Sequence, residues 1–508
     1  MLYALLLVFL LPTLGVPFVY LTGKKSPRAA AILVALIALA NLALLFTTVP
    51  TVLNSPNHEY VERYYWIPIL GTEFTLFVDG ISVSLAIITT VLIIVAALFS
   101  VNYMKEKKNL AVYYSLLTLL SIGLVGVFIT SNLLLFYFCW ELMLVPAYFI
   151  IGGWGYRDPY RAAFKFFIFT HAGAVFVLLG IGAIYMVTGT TDMFQAQTAL
   201  MSVSPDLVRW ILLSLTAGFA VKMAVVPVHM WLPDAHSEAP SPMSALLSGV
   251  IISAGAYAIL RLSLGTVFPA VAGTTFGIDF LHGLTIFGII SAFFGSLIAL
   301  VETDIKRIIA YSSIAHMGYV MFGLSLFPSS AIVGTLAITA AITGTVLHLV
   351  NHAVSKGLFF LSAGAIMHQT DIRDVRNMGG LAGKMPFTAV ASTTAALSIA
   401  GTPPFACFIS EFLIFVGAFE VIKTDNFYLF PTALMLIATV ISLAYSLRYL
   451  SHVFLGQTKQ TKSEGEQKKI VDVPNFMKVA MAILVVLVIV LGIYPTFFVH
   501  LINTVQFL

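Results

Sequence analysis

The 508-residue sequence predicts an all-α, polytopic membrane protein. Three observations carry that reading: 60% of the residues are hydrophobic, only 9% are charged, and the basic residues gather on one side of the apolar map. Ordinary soluble proteins carry roughly 25% charged residues. A chain with a mean hydropathy of +1.00 cannot cover a soluble surface, so a soluble enzyme is excluded. Disorder is excluded too, because disordered chains are poor in apolar residues and rich in charge. The two cysteines, Cys139 and Cys407, lie in apolar runs and offer neither a disulfide framework nor a cysteine metal site.

A spanning helix needs about 20 apolar residues. That window gives about fourteen candidates, near 1–21, 29–49, 77–103, 110–130, 132–152, 162–187, 207–228, 243–264, 281–301, 308–326, 335–367, 387–420, 430–450 and 478–500. The first has no basic stretch before it and holds Pro12 and Pro17, which predicts a retained span, not a cleaved signal. Of the 26 Lys and Arg, 20 fall in the loops after odd-numbered spans, Lys306 among them. Only Arg63, Arg209, Arg261 and Lys423 fall on the other side, and Lys222 and Lys356 lie inside spans. The positive-inside rule makes the basic side cytoplasmic and turns both termini outward. The net charge of +4 is this rim; no basic patch with interleaved aromatics suggests nucleic acid. Residues 457–475 are expected to form a polar cytoplasmic loop.

Ionisable residues in the membrane core are expensive and mark functional sites by default. Four stand out: Glu141 in the fifth span, Lys222 late in the seventh, Lys356 in the eleventh and Glu411 in the twelfth. His348, His352 and Lys356 are spaced i, i+4, i+8, which puts them on one helical face about 6 Å apart in rise. Three titratable groups on one stripe suit a proton relay, which His171 in the sixth span, His316 in the tenth and Lys306 are candidates to extend. The competing reading is packing: a Glu–Lys pair can lock two helices, and a lone histidine is commonly a hydrogen-bonded core residue.

Two spans are interrupted. Lys222 is followed by Pro227, and Glu411 is preceded by Gly401, Pro403 and Pro404. Proline breaks the helical ladder, and broken backbone at membrane depth is tolerated where it lines a cavity or is buried in protein. One broken span with a buried charge in each half suggests two structural repeats. His229, Asp234, His236 and Glu238 after the first break match no standard zinc spacing, so no metal is expected; loop capping explains them better. No nucleotide loop, iron–sulfur cysteine pair or nucleophile elbow is present, so any redox reaction belongs to another polypeptide.

The strings FYFCWELMLVPAYFIIGGWG, KMAVVPVHMWLPDAHSEAPSPMSALLSG, VETDIKRIIAYSSIAHMGYV and SEFLIFVGAF together resemble the antiporter-like membrane subunits of respiratory complex I, most closely the NuoM (subunit 4) class. That superfamily is shared with large Mrp antiporter subunits and with membrane-bound hydrogenase subunits. The resemblance covers roughly residues 75–455. It implies fourteen spans, two inverted repeats of five helices and breaks in helices 7 and 12. The division would be helices 1–3 in 1–109, a first repeat in 110–264, a second in 281–450, a loop in 451–477 and a last helix in 478–508. It also implies proton translocation along the middle of the membrane. On this resemblance Glu141 matches the acid that modulates the lysine at Lys222, Glu411 matches the acid of the broken twelfth helix, and His348, His352 and Lys356 resemble a His-His-Lys stripe of a related class. Ser253, a further relay candidate, stands in the eighth span where NuoM-class members commonly have a lysine, which leaves Lys356 as the expected central carrier.

Further implications are a prokaryotic cytoplasmic membrane, partnership with other antiporter-like and small membrane subunits and a peripheral redox arm, and no cofactor in this chain. FMN, iron–sulfur clusters and quinone would belong to partners. The chain ends after its fourteenth span without a long lateral helix, so it is not expected to be the most distal subunit. Two alternatives stay open: a subunit of a multi-subunit Mrp-type Na+/H+ antiporter, and a structural subunit without its own proton path.

Overall fold

The computed structural model describes residues 3–327, 335–457 and 470–505; most of the loop expected at 457–475 lies outside them. Each of the fourteen expected windows overlaps at least one helix. Before the first break come α1 (Ala4–Lys25), α2 (Pro27–Asn54), α3 (Gly80–Tyr103), α4 (Leu110–Gly126), α5 (Leu133–Trp154), α6 (Pro159–Thr188), the short α7 (Met193–Leu200) and α8 (Pro205–Met223). Then follow α9 (Leu232–Glu238), α10 (Ser241–Val271), α11 (Thr275–Val301), α12 (Ile305–Ser325), α13 (Thr335–Thr370), α14 (Pro386–Ile399), α15 (Ala406–Ile422), α16 (Leu429–Phe454), α17 (Asn475–Ile493) and α18 (Thr496–Ile502). Pro27, Pro159, Pro205 and Pro386 open their helices, where the missing N–H costs nothing. Within α10 two π-helical stretches, Leu247–Ile251 and Ile259–Val267, flank Ser253.

Among the described residues, eleven helices are long and apolar enough to cross a bilayer. The three windows that do not meet both conditions have physical reasons. Helix α4 is short, α8 carries Asp206, Arg209 and Lys222, and the window at 387–420 is split into α14 and α15.

The fold is mostly, not wholly, helical. An antiparallel hairpin of β1 (Glu59–Ile67) and β2 (Thr72–Asp79) stands on the face opposite the basic rim. Its Glu62 accepts from the backbone N–H groups of Leu5 (3.0 Å) and Leu6 (2.9 Å) and from the hydroxyls of Tyr60 and Tyr64. A carboxylate there satisfies free amides and complements the positive end of α1. Tyr60 and Tyr64 are held above the ordinary phenol range by burial and by their bonds to Glu62. The alternation and aromatic content of 59–79 are strand signals, which the search for apolar windows passes over.

A repeated joint relates the two halves. Asn132 caps α5 by accepting from Leu134 and Leu135, and its segment pairs with that of Asp192 through Leu133 N–H to Thr191 C=O (2.7 Å) and Met193 N–H to Ser131 C=O (3.0 Å). Asp304 caps α12 by accepting from Lys306 and Arg307, and pairs with Asp374 through Ile305 to Arg373 (2.9 Å) and Val375 to Thr303 (2.9 Å). The first joint lies beside the hairpin, where Thr130 donates to the Thr75 carbonyl; the second lies among the basic loops. The same supersecondary unit thus occurs on opposite faces.

The basic face is laced by ion pairs between loops. Asp234 takes Lys165 (2.7 Å) and Arg307 (2.9 Å), and Arg373 spans Asp304 (2.7 Å) and Glu238 (3.2 Å). Burial pushes the Glu238 carboxyl up, but the amides of Asp158 and Arg157 and the Arg373 guanidinium outweigh it and hold the group below the usual range. Glu302 behaves alike through the amides of Thr303 and Asp304 and through Arg307.

Candidate functional site

In the first half, the Asn132 cap fixes where α5 starts and so where Trp140 and Glu141 point. Successive residues on a helix diverge by about 100°. Trp140 faces α8, while Glu141 turns toward α6 and meets His171, its Oε2 3.4 Å from Nδ1. Glu141 and Lys222 thus take different partners and do not pair directly among the described residues. Lys222 is buried, donates to the Trp140 carbonyl at 3.3 Å and lies 4.6 Å from the Trp140 ring centroid, a cation–π distance. Glu141 still acts on it electrostatically across that residue. The Glu141 and His171 side chains are 25% and 48% exposed, so this pair opens on the bundle surface.

Lys222 sits two residues before Ala224, where α8 ends with φ +59°. The polar groups freed by the break are taken up locally: Val226 N–H donates to Ser291 Oγ (2.9 Å), and the Trp231 indole donates to the Val221 carbonyl (2.9 Å). At the second break α14 stops at Ile399, Gly401 takes φ +63°, and α15 begins at Ala406. The peptides Val226–Pro227 and Pro403–Pro404 are both cis. Asn351 donates to the Ala406 carbonyl at 2.7 Å. Glu411, one turn into α15, folds back over the break: a Cβ on Gly401 would lie 2.4 Å from its Oε2. Glycine is needed there for both backbone and space.

Around Glu411 the second half is enclosed. His316 Nδ1 lies 3.1 Å from His348 Nε2 and 3.8 Å from Glu411 Oε1; His316 Nε2 lies 3.4 Å from the Tyr445 hydroxyl, and His348 Nδ1 lies 3.0 Å from Ser410 Oγ. His316, His348, His352 and Lys356 are fully buried. Lys356 donates to the Ile309 carbonyl at 3.2 Å and to Ser312, and it acts electrostatically on all three histidines. The stripe on α13 is not one continuous hydrogen-bonded wire. Among the described residues His352 has no partner for either ring nitrogen, and its ring centroid stands 5.6 Å from that of His316 and 6.2 Å from that of His348.

The other sequence candidates fall as follows. Ser253 is buried and spends its hydroxyl on the Gly249 carbonyl (2.9 Å). Lys306, counted from sequence with the solvated rim, is fully buried and donates to the Ala239 carbonyl at 2.5 Å. It lies just inside the Asp304 cap, so the helix that follows carries it inward. Asp234 and Glu238 are committed to Arg and Lys partners and do not converge with His229 and His236. Among the described residues, the group able to offer three metal-ligand atoms close together is His316, His348 and Glu411, within 4.8 Å of one another. Its facing histidine nitrogens are at hydrogen-bond distance of each other, an arrangement that can share and pass a proton.

Sequence reasoning missed Tyr445 and Ser410, for which no sequence signal exists. It also missed a buried pair near the hairpin, Arg261 to Asp79 at 2.6 Å. Arg261 lies inside the expected span 243–264, so counting charges within windows would have found it.

The transmembrane family described as NADH:quinone oxidoreductase/Mrp antiporter, TM matches residues 130–442, more than half of the chain. The NADH-quinone oxidoreductase subunit M of Rickettsia conorii is 32% identical over 499 residues, covering 96% of this chain and 94% of that one. In structure the chain is similar to a chain of respiratory complex I from Thermus thermophilus (TM-score 0.82, 22% identity, 98% and 97% covered). It is similar as well to one of the Mrp complex from Dietzia sp. DQ12-45-1b (TM-score 0.81, 22% identity, 99% and 97% covered).

Proposed function

Because the chain belongs to the NADH:quinone oxidoreductase/Mrp antiporter family of membrane subunits, we propose that it is a proton-translocating subunit of a complex I-like oxidoreductase. The redox chemistry, with its flavin, iron–sulfur clusters and quinone, belongs to partner subunits. The basic face is cytoplasmic, the termini face outward, and the membrane is the prokaryotic inner membrane. The two repeats are 110–264 and 281–450, flanked by helices 1–3 in 1–109 and by the loop and last helix in 451–477 and 478–508.

The observation that carries this reading is the enclosed constellation itself. Two fully sequestered lysines, three histidines and a glutamate lie at the two breaks, and among the described residues neither lysine is ion-paired. Packing alone does not reward such groups, since burying unpaired charge is costly. Their use is proton exchange: a change at Glu141 alters how firmly Lys222 holds its proton. The proton then moves toward Lys356, His352 and His348, with water completing the bonds that His352 lacks to protein. His316 hands it to Glu411 beside the second break, and Glu411 releases it outward. Each charge moved against the potential costs about 2.3 kcal/mol per 100 mV, so a downhill electron transfer elsewhere must drive the cycle. The surface position of Glu141 and His171 favours a neighbouring membrane subunit covering that face, because lipid would leave the pair poorly solvated.

In the assembled complex, Glu141→Gln and Lys222→Ala are expected to retain electron transfer to artificial acceptors and to lose coupled pumping. Full pumping in both would sink the reading. A second reading, an Mrp-type Na+/H+ antiporter subunit, is favoured by the structural likeness to the Dietzia complex. The composition of the complex that copurifies with the chain separates the two, redox subunits supporting the first and small antiporter subunits the second.

A further inference from the structure

On the basic face a cavity of about 430 Å³ opens between the loops after α3, α5 and α13, with Tyr103, Tyr156, Pro240 and Arg373 in its wall. Tyr103 contacts both the Tyr156 hydroxyl and Ser241 Oγ, the latter at 3.0 Å. Behind this wall lies Lys306, its Nζ 5.2 Å from the Tyr156 ring centroid. Lys306 makes no ion pair among the described residues. The neighbouring acids Asp304 and Glu238 are both engaged by Arg373, so the one strong bond to Lys306 is the neutral Ala239 carbonyl.

Deeper still is His236. It is fully buried, stacked on Phe360 of α13 at 4.7 Å and 13°, and without a partner for either ring nitrogen among the described residues. Lys306, Lys356 and His352 are the titratable groups acting on it. A buried imidazole free at both nitrogens can accept a proton at one and release it at the other. It stands between a lysine against the cavity wall and the lysine of the central stripe.

We propose that this cavity is a cytoplasmic proton-uptake port for the second half of the chain, with Lys306 and His236 as its two relay groups. The proposal rests on the reading of the chain as a proton translocator. The neutral Lys306 amine takes a proton from cavity water and passes it to one nitrogen of His236. The other nitrogen releases a proton toward Lys356 or His352, leaving a neutral amine and a neutral imidazole of the opposite tautomer, which a ring flip resets for the next cycle. Protons for the second half thus enter beside α12 and need not travel the whole axis from Lys222.

The alternative is a structural tether, in which Lys306 only closes the carbonyl end of α9. Arginine separates the two, because it keeps charge and hydrogen bond but never gives up its proton. In inside-out vesicles containing the assembled complex, Lys306→Met, Lys306→Arg and His236→Gln are each expected to keep electron transfer to artificial acceptors and to lose pumping at least tenfold. Wild-type pumping by Lys306→Arg, or by His236→Gln, overturns the port. Where Lys306→Met fails to assemble, the other two variants carry the test. Lys222→Ala in the same vesicles keeps the two claims apart: if it pumps normally the translocator reading falls, whereas if it is inactive while His236→Gln pumps, only the port falls.

Discussion

The two halves share a joint but not an environment. In the first, the acid of α5, Glu141, pairs with His171 on the bundle surface, and Lys222 is held apart from it by Trp140. In the second, the acid of α15, Glu411, is enclosed with His316 and His348 against Gly401. An acid that opens on the surface can be acted on by a neighbouring subunit; one sealed in a histidine cluster exchanges protons mainly with its own chain. On the proposed function, the first half receives the signal and the second holds and releases the proton.

The largest effect is expected where the second half is most enclosed. Glu411→Gln should reduce pumping in vesicles at least tenfold with assembly intact, and near-normal pumping would remove the contrast with Glu141. Next comes the buried pair near the hairpin. Arg261→Met leaves Asp79 buried and uncompensated and should cost about 3–5 kcal/mol in thermal unfolding in detergent. The exposed Lys423–Glu420 pair, broken by Lys423→Ala, should cost at most about 1 kcal/mol. The shared joint is tested by Asn132→Ala and Asp304→Ala. Each removes a helix cap worth about 1 kcal/mol together with a second bond, between Asp304 and Arg373 (2.7 Å) and between Asn132 and the Glu73 carbonyl (2.9 Å). A loss below about 1 kcal/mol in either variant would show that its cap does not hold the joint.

The smallest effect distinguishes the two faces by pH. Glu238 and Glu302 are held below the ordinary carboxylate range. Their contribution is complete above the unfolded-state value of about 4.3 and is lost as pH falls through the lowered folded value. Melting temperature should therefore stay level on acidification to about pH 5 and decline below about pH 4, less steeply in Glu238→Gln. An unchanged decline in that variant would remove Glu238 from the acid response.

Much of this was legible because membrane solvent enforces simple rules. Apolar length located the helices, the prolines at 227, 403 and 404 located the breaks, and the cost of intramembrane charge singled out Lys222, Lys356 and Glu411. What stayed hidden was tertiary. Spacing could align His348 with His352 and Lys356, but not show that His348 bonds across to His316 and Ser410. Lys306 stood both with the basic rim and among the relay candidates, and its position could not decide between them, because the Asp304 cap sets where its helix begins. The hairpin at 59–79 escaped because its strands alternate while the search sought continuous apolar runs. The repeat itself was signalled by one broken, charged span in each half, but the joint that relates the halves was not, because it resides in backbone pairing at Asn132–Asp192 and Asp304–Asp374.

The most direct test is proton pumping by the assembled complex carrying Lys222→Ala or Lys356→Met, measured beside electron transfer to an artificial acceptor. The expected result is electron transfer near the wild-type rate with pumping through this subunit lost in both. Pumping at wild-type stoichiometry in both variants would contradict the account.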